Sequence, residues 1–317
     1  METCAEPEAG APPHSPSTHP APHALRQLNS KPPRHAWLRE VGIVLGFYYV
    51  YQTIRSLADV SGVKNRAQGN AQWIVTAEKT IFIYHEQSIQ QAFLGATWFI
   101  KAMNVYYGTL HFIITAGLLV WLYARRHSAY RVMRNLLGAT TGLALIGYWT
   151  FPLAPPRLYS KCSGRIPALG PEGGLVKPSC FVDTLDKVGG LWDYQSSAAK
   201  AIANAYAAMP SLHFGWSLWC AIVIWTQVGG RRGHVLAVLY PTLTLFAIVI
   251  TANHFFLDAV GGALILCGGL GIVRWSERRR SARLAPALTG ACHRVARFGL
   301  GPTSDEYALP QDDRPVA

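Results

Sequence analysis

Long apolar stretches without charged residues alternate along this chain with short, arginine-rich connections. No Asp, Glu, Lys or Arg occurs in residues 102–124, 135–156, 201–230 and 235–257. Each stretch has the roughly 20 residues that a helix needs to cross the hydrocarbon core of a bilayer. Residues 259–273 and 37–54 are shorter candidates for two further spans. The pattern predicts an all-α, polytopic membrane protein, a bundle of six transmembrane helices.

Composition and charge distribution support this prediction. Half of the residues are hydrophobic and 15% are charged, a balance typical of membrane proteins. The formal net charge of +12 would by itself allow a nucleic-acid partner, but the arginines cluster after the second, fourth and sixth predicted spans. Cytoplasmic connections carry such an excess of Lys and Arg. We therefore expect a multi-pass protein of the cell membrane that contacts the bilayer and no nucleic acid.

The two ends of the chain differ from its apolar middle. Residues 1–35 contain eight prolines and no apolar periodicity, so they cannot bury enough surface to offset the entropy of ordering. The last segment is basic and also contains several prolines. We predict a disordered cytoplasmic tail at 1–35, a membrane domain at 36–275, and a basic, mostly disordered cytoplasmic tail at 276–317.

Two predicted outer connections are long. In residues 65–95, apolar and polar residues alternate in a helical rhythm, which indicates an interfacial helix or a helix packed over the outer mouth of the bundle. Between the third and fourth spans lies a loop of about 45 to 50 residues, and loops of this length are usually functional or disordered. Cys162 and Cys180 share this loop, where an oxidising exterior would allow them to pair.

Ionisable side chains near the ends of the predicted spans form three clusters. Arg157 follows the third span, His213 begins the fourth, and His254 and Asp258 lie where the fifth turns into the sixth. The number of crossings places all three clusters at the outer boundary. If one of the connections lay on the opposite side of the membrane, about 30 Å of hydrocarbon would separate the clusters. Because polar groups are costly in a membrane, these residues indicate one functional site on the non-cytosolic face.

The residue types in these clusters suit displacement at phosphorus. Ser211 can cap a helix start at His213, where free N–H groups attract anions. Asp258, four residues after His254, can hold the imidazole tautomer and stabilise the imidazolium. Arg157 offers a planar fork matched to phosphate oxygens. Together they predict transfer through a phosphohistidine, in which one imidazole attacks and the other protonates the leaving oxygen.

Two neighbouring polar residues are further candidates for substrate contact. Asn253 could donate to a phosphoryl oxygen or cap a helix. His111 lies in the outer third of the second predicted span, where it could line the substrate cavity or serve packing.

The three motifs, taken in order, resemble those of a known family. They read Pro-Pro-Arg up to Arg157, Ala-Met-Pro-Ser-Leu-His up to His213, and Asn-His-Phe-Phe-Leu-Asp up to Asp258, followed by Gly261. This series resembles the type-2 phosphatidic acid phosphatase superfamily, and within it the inositolphosphotransferase branch that includes inositol phosphorylceramide synthases. The resemblance implies a six-helix membrane enzyme of lipid metabolism without metal or cofactor. Its implied roles are nucleophile for His254, partner for Asp258, acid or base for His213, and phosphate ligand for Arg157. From their positions alone, Asn253, Ser211 and His111 are further candidates for substrate binding.

Two departures from the superfamily's phosphatase pattern affect the expected reaction. Thr150 stands where that pattern has a Lys, and Ile248 stands where it has an Arg. We therefore predict transfer of inositol phosphate or a similar head group to a lipid alcohol. The alternative is a lipid phosphate or pyrophosphate phosphatase. From another class, a haem protein or a transporter would use the three histidines at 111, 213 and 254 as axial ligands or proton relays.

Overall fold

The computed structural model describes residues 38–43, 45–46, 49, 53, 62–160, 181–191 and 206–297, the last fifteen of them by their backbone only. The chain divides into two compact units, residues 1–50 and 51–317. In the first unit, residues 38–43 are helical. Most of the weakest predicted span, 37–54, the tail at 1–35 and the predicted Cys162–Cys180 pair lie outside the described residues.

Helices form most of the described part of the second unit. They are α1 (Val63–Thr80), α2 (Glu86–Phe93), α3 (Thr97–Arg125), α4 (His127–Thr150), α5 (Leu212–Val228), α6 (Gly230–Ile250) and α7 (Phe256–Arg297). Two of them contain a π-helical stretch, at Tyr106–Leu110 in α3 and at Ile224–Val228 in α5.

The long apolar helices agree with the predicted membrane protein. Within the described ranges, α3, α6 and residues Phe256–Ala282 of α7 are long and apolar enough to cross a bilayer, and α5 is a shorter apolar helix. Helix α4 covers most of the third predicted span, and its first turns carry Arg131 and Arg134. The count of six spans stays a prediction.

The predicted interfacial helix at 65–95 is two helices rather than one. A turn at residues 81–85, in which Phe82 adopts φ +60°, separates α1 from α2. One face of α1 packs against protein, because its Ala67, Ala71 and Ile74 share a core cluster with Leu153 and other residues of the outer segments. The helical rhythm of the sequence was correct, but it gave no sign of this turn.

Helices α5 and α7 approach each other through two glycines. A Cβ at Gly262 would overlap the carbonyl oxygen of Ser211, and one at Gly215 would lie 3.1 Å from the carbonyl oxygen of Gly262. Such close backbone approach requires a residue without a side chain. It brings the first turns of the two helices together, where the backbone N–H of Ser211 donates to the carbonyl oxygen of Asp258 at 2.9 Å.

Three connecting segments meet at the same end of the helices. Leu153, just after α4, forms an isolated parallel bridge with Ala207, just before α5. The backbone N–H of Arg157 donates to the carbonyl oxygen of Ala252 in the turn between α6 and α7, at 2.9 Å. The segments that carry the three sequence motifs are therefore joined by backbone hydrogen bonds.

Candidate active site

His254 lies in the turn between α6 and α7 and is almost completely buried. Its Nδ1 is 2.9 Å from the carbonyl oxygen of Ala208 and 3.3 Å from Oδ2 of Asp258. Because a carbonyl oxygen only accepts hydrogen bonds, Nδ1 carries the proton, and Nε2 keeps its lone pair. This is the tautomer that a nucleophilic histidine needs.

Asp258 lies in the first turn of α7 and is fully buried. The sequence suggested that it shares a helical face with His254, but α7 begins only at Phe256, so the histidine lies in the preceding turn. The contact persists because Oδ2 of Asp258 also accepts a hydrogen bond from the backbone N–H of Phe255 at 2.9 Å. The same carboxylate oxygen therefore both closes the turn and orients the imidazole.

His213 lies in the first turn of α5, next to His254. Its ring stacks on Tyr107 with centroids 4.1 Å apart, and its centroid is 5.7 Å from that of His254. Nε2 of His213 is buried and has no hydrogen-bond partner among the described residues. The structure thus brings the two predicted imidazoles together, with a nitrogen of His213 left for a further ligand.

Ser211 caps α5, as the sequence predicted, since its Oγ accepts a hydrogen bond from the backbone N–H of Phe214 at 3.3 Å. Pro210 directly precedes this cap. The side chain of Ser211 is fully buried. Its predicted contact with substrate stays a prediction.

Arg157 is held by two side chains from different segments. Its Nε donates to Oδ1 of Asn253 at 3.0 Å, and its Nη1 donates to Oδ2 of Asp183 at 2.8 Å. The amide nitrogen of Asn253 in turn donates to Oγ1 of Thr251 at 2.8 Å, which fixes the amide orientation. In this structure Asn253 therefore orients Arg157, and its direct contact with a phosphoryl group stays a prediction.

Asp183 was not singled out by the sequence. It lies beyond the central part of the long loop and caps the short helix Thr184–Lys187, because its Oδ1 accepts from the backbone N–H of Asp186 at 3.3 Å. The only sequence signal was this local capping pattern. Pairing with a residue 26 positions earlier depends on the course of the loop.

His111 lies in α3 and is fully buried. Its Nδ1 is 2.9 Å from the hydroxyl oxygen of Tyr240, and its ring centroid is 5.2 Å from that of His213. Its Nε2 has no hydrogen-bond partner within the described part of the chain. His111 therefore belongs to the histidine cluster, in contact with the proposed acid or base.

Two buried glutamates behind His254 also escaped the sequence analysis. Oε1 of Glu78 accepts from the backbone N–H of Leu257 at 2.7 Å, and Oε1 of Glu86 accepts from that of Phe256 at 3.0 Å. Burial is the main cause that raises the pKa of Glu78 to about 10, and the hydrogen bond and charge of Glu86 raise it further. The helical rhythm of residues 65–95 did not show that these carboxyls turn inward.

Comparison with known proteins agrees with the motifs. A family model described as the PAP2 superfamily matches residues 72–272, well over half of the chain. Comparisons with curated proteins and with solved structures each find no match. The matched range includes both histidines, Asp258 and Arg157. The chain therefore belongs to the PAP2 superfamily and is a membrane enzyme of the phosphatase and phosphotransferase type.

Proposed function

We propose that this enzyme transfers a phosphorylated head group, inositol phosphate or a similar one, from a lipid phosphodiester to a lipid alcohol. The reaction proceeds through a phosphohistidine on His254. The observation that supports it most directly is the meeting of His254, Asp258, His213 and Arg157, which come from three segments far apart in the sequence.

In the first step, Nε2 of His254 attacks the phosphorus of the donor lipid. A P–N bond forms and the P–O bond to the lipid alcohol breaks, with its electron pair leaving on oxygen. Protonated His213 gives its proton to that oxygen. Asp258 stabilises the positive charge that develops on His254, and Arg157 binds the non-bridging phosphoryl oxygens.

In the second step, the acceptor alcohol replaces the departed lipid. Neutral His213 takes the proton of its hydroxyl group, the alcohol oxygen attacks phosphorus, and the P–N bond breaks with its electron pair returning to Nε2 of His254. His213 is then protonated again for the next cycle. If water takes the place of the alcohol, the same steps give a phosphatase, which is the alternative reaction.

The charges around Arg157 favour a phosphodiester over a phosphomonoester. A phosphodiester carries one negative charge, whereas a phosphomonoester approaches two at neutral pH. Arg157 shares its charge with Asp183, and the two cations of the phosphatase pattern are replaced by Thr150 and Ile248. Among the described residues, the site therefore offers less positive charge than the phosphatase pattern would supply.

The remaining predicted residues have supporting roles in this proposal. Ser211 caps the helix whose first turn carries His213, and Asn253 holds Arg157 in place. His111 lies against His213 and helps to define its position. The site faces the outer leaflet, as the distribution of arginines predicts. Membership of an enzyme family favours this reaction over the haem protein or the transporter.

The test is a transfer assay with purified protein in liposomes. We expect head-group transfer from labelled phosphatidylinositol to an added ceramide, and much slower phosphate release from phosphatidic acid. Replacement of the proposed nucleophile, His254→Ala, should lower transfer by about 10⁴-fold or more. His127→Ala, which removes an exposed histidine at the start of α4, is the matched control and should leave transfer unchanged.

Two results would contradict the proposal. Rapid hydrolysis of phosphatidic acid without transfer from the phosphodiester would favour the phosphatase. Undiminished activity of the His254→Ala variant would remove the phosphohistidine mechanism.

A further inference from the structure

The carboxyl groups of Glu78 and Glu86 lie behind His254 and Asp258 and come from helices outside the three motifs. We propose that Glu78 and Glu86 are positioning residues, which clamp the first turn of α7 and so fix His254 and Asp258 for catalysis. This inference rests on the proposed role of His254 and adds two residues to the site.

Three consecutive backbone N–H groups at the start of α7 each donate to a different carboxyl group. The bonds are Phe255 N to Asp258 Oδ2 at 2.9 Å, Phe256 N to Glu86 Oε1 at 3.0 Å, and Leu257 N to Glu78 Oε1 at 2.7 Å. The first N–H groups of a helix have no partner within the helix itself. Negative groups there are favoured by the helix dipole.

The two glutamates bind this turn from separate helices. Glu78 lies near the end of α1, and Glu86 is the first residue of α2. Both are fully buried, and each uses Oε1 for the turn, while neither Oε2 has a hydrogen-bond partner assigned among the described residues. Two elements therefore converge on two consecutive backbone N–H groups, and a contribution to packing alone would not require two buried carboxyl groups.

A raised pKa of Glu78 allows two buried carboxyl groups to lie near each other. Neighbouring carboxyls in a buried site cannot both ionise without a large cost. Burial raises the pKa of Glu78, and the hydrogen bond and charge of Glu86 add to this effect. We infer that Glu78 holds its proton at neutral pH, so that the two carboxyls do not both have to carry a charge.

The clamp affects catalysis because it fixes the distance between the imidazole of His254 and the carboxylate of Asp258. Nδ1 of His254 lies 3.3 Å from Oδ2 of Asp258, near the upper limit of a useful hydrogen bond. A small shift of the first turn of α7 would break this contact and turn the imidazole away from its productive orientation. Misplacement by about 1 Å can cost roughly 100-fold in rate.

The experiment compares two conservative replacements of Glu78. Glu78→Gln keeps an oxygen for the Leu257 N–H and a polar group of the same length beside Glu86, and it has no charge, like the protonated acid. Glu78→Asp is one methylene too short to hold both. Glu277→Asp is the matched control, because it makes the same chemical change in a partly exposed residue that pairs with Arg131 far along α7.

Two readouts separate positioning from a role in folding. The first is kcat and KM for head-group transfer by each variant. The second is the rate at which diethyl pyrocarbonate modifies His254, followed by peptide mass spectrometry, which needs no lipid substrate. Gel filtration in detergent reports whether each variant is folded.

We expect Glu78→Gln to stay near the wild type in both readouts. Glu78→Asp should lower kcat by about 30-fold with KM within about twofold, and should change the modification rate of His254, because the imidazole is no longer held in place. Glu277→Asp should match the wild type. If no variant and no wild-type protein transfers a head group, the proposed function fails, and the modification rates alone decide on the clamp.

The positioning role is overturned if folded Glu78→Asp protein has the wild-type kcat and the wild-type modification rate. It is equally overturned if Glu78→Asp fails to fold while Glu78→Gln folds, since the carboxyl would then serve folding rather than the orientation of His254.

Discussion

The turn that carries His254 and the segment that carries Arg157 lie side by side, but they are held in different ways. His254 is fixed by a backbone carbonyl and a fully buried carboxylate, and the turn itself is bound by further buried carboxyls. Arg157 is held through side chains, and its partner Asp183 is about one-fifth exposed. The first region needs no exchange of partners to react, whereas the second can bind phosphate through further N–H groups of the guanidinium or in exchange for its partly exposed carboxylate partner.

This difference separates two tasks of the site. Preorganised groups around a nucleophile lower the activation barrier because they need no rearrangement at the moment of reaction. A ligand-binding cation, in contrast, can be kept in place by a carboxylate that the substrate later displaces. We therefore expect changes at the His254 turn to affect kcat, and changes around Arg157 to affect KM and substrate choice.

Among the variants that keep His254, the largest effect is expected from Asp258→Asn. The amide can still accept from the Phe255 N–H, but it no longer stabilises the imidazolium of His254, so kcat should fall by about 10³-fold with little change in KM. Steady-state kinetics of head-group transfer measure both constants. A kcat within about threefold of the wild type would show that the carboxylate serves only to close the turn.

A smaller effect is expected where α5 and α7 touch. Gly262→Ala places a methyl group against the carbonyl oxygen of Ser211, so the helices that carry His213 and Asp258 must separate. We expect a loss of stability of about 1–3 kcal/mol, as in other overpacked sites, together with a lower kcat. Thermal unfolding in detergent and the transfer assay measure these effects.

Gly271→Ala is the matched control for this change. It lies in the same helix, but an added Cβ meets no atom within 4 Å. This variant should keep full activity and equal or higher stability, because Ala favours a helix over Gly by about 1 kcal/mol. Equal losses in the two variants would show that the close contact is not responsible.

At the Arg157 region we expect Arg157→Lys to raise KM by about tenfold while kcat changes less. Lysine keeps the charge but loses the planar fork that contacts Asn253 and phosphate together. Measured KM and kcat for the phosphodiester donor test this split. A large fall in kcat at unchanged KM would show that Arg157, like the His254 turn, acts on the chemical step rather than on substrate binding.

The smallest effect is expected from Asp183→Asn. It removes the negative charge beside Arg157, so the site should accept a more highly charged phosphate, and phosphatidic acid hydrolysis should rise by about threefold. Competition between phosphatidic acid and the phosphodiester in one assay measures this preference. An unchanged ratio would show that Asp183 does not influence substrate charge.

Local patterns in the sequence predicted several parts of this structure. Uncharged stretches gave the long helices, and the capping preference of Ser211 gave the start of α5. The fourth-residue spacing of His254 and Asp258 gave their contact, even though only Asp258 lies within the helix. The motif series gave the family. In each case the signal lies within a few residues of the feature that it predicts.

Contacts between distant segments were beyond the reach of such patterns. The Asp183 partner of Arg157 depends on the return of a long loop, and the inward faces of Glu78 and Glu86 depend on how α1 and α2 pack. A buried carboxyl and a solvated one have the same letter in a sequence. Only the surrounding atoms decide which groups lose water and must find a partner.

The sequence by itself determined the long apolar helices and the family and supplied the candidates for the reactive groups, because hydrophobic period, capping and motif order are local properties of the chain. The tertiary structure decided the tautomer of His254, the partner of Arg157 and the carboxyl clamp on α7. These depend on distances between segments up to 179 residues apart, which are set by packing and by the need of buried polar groups for hydrogen bonds.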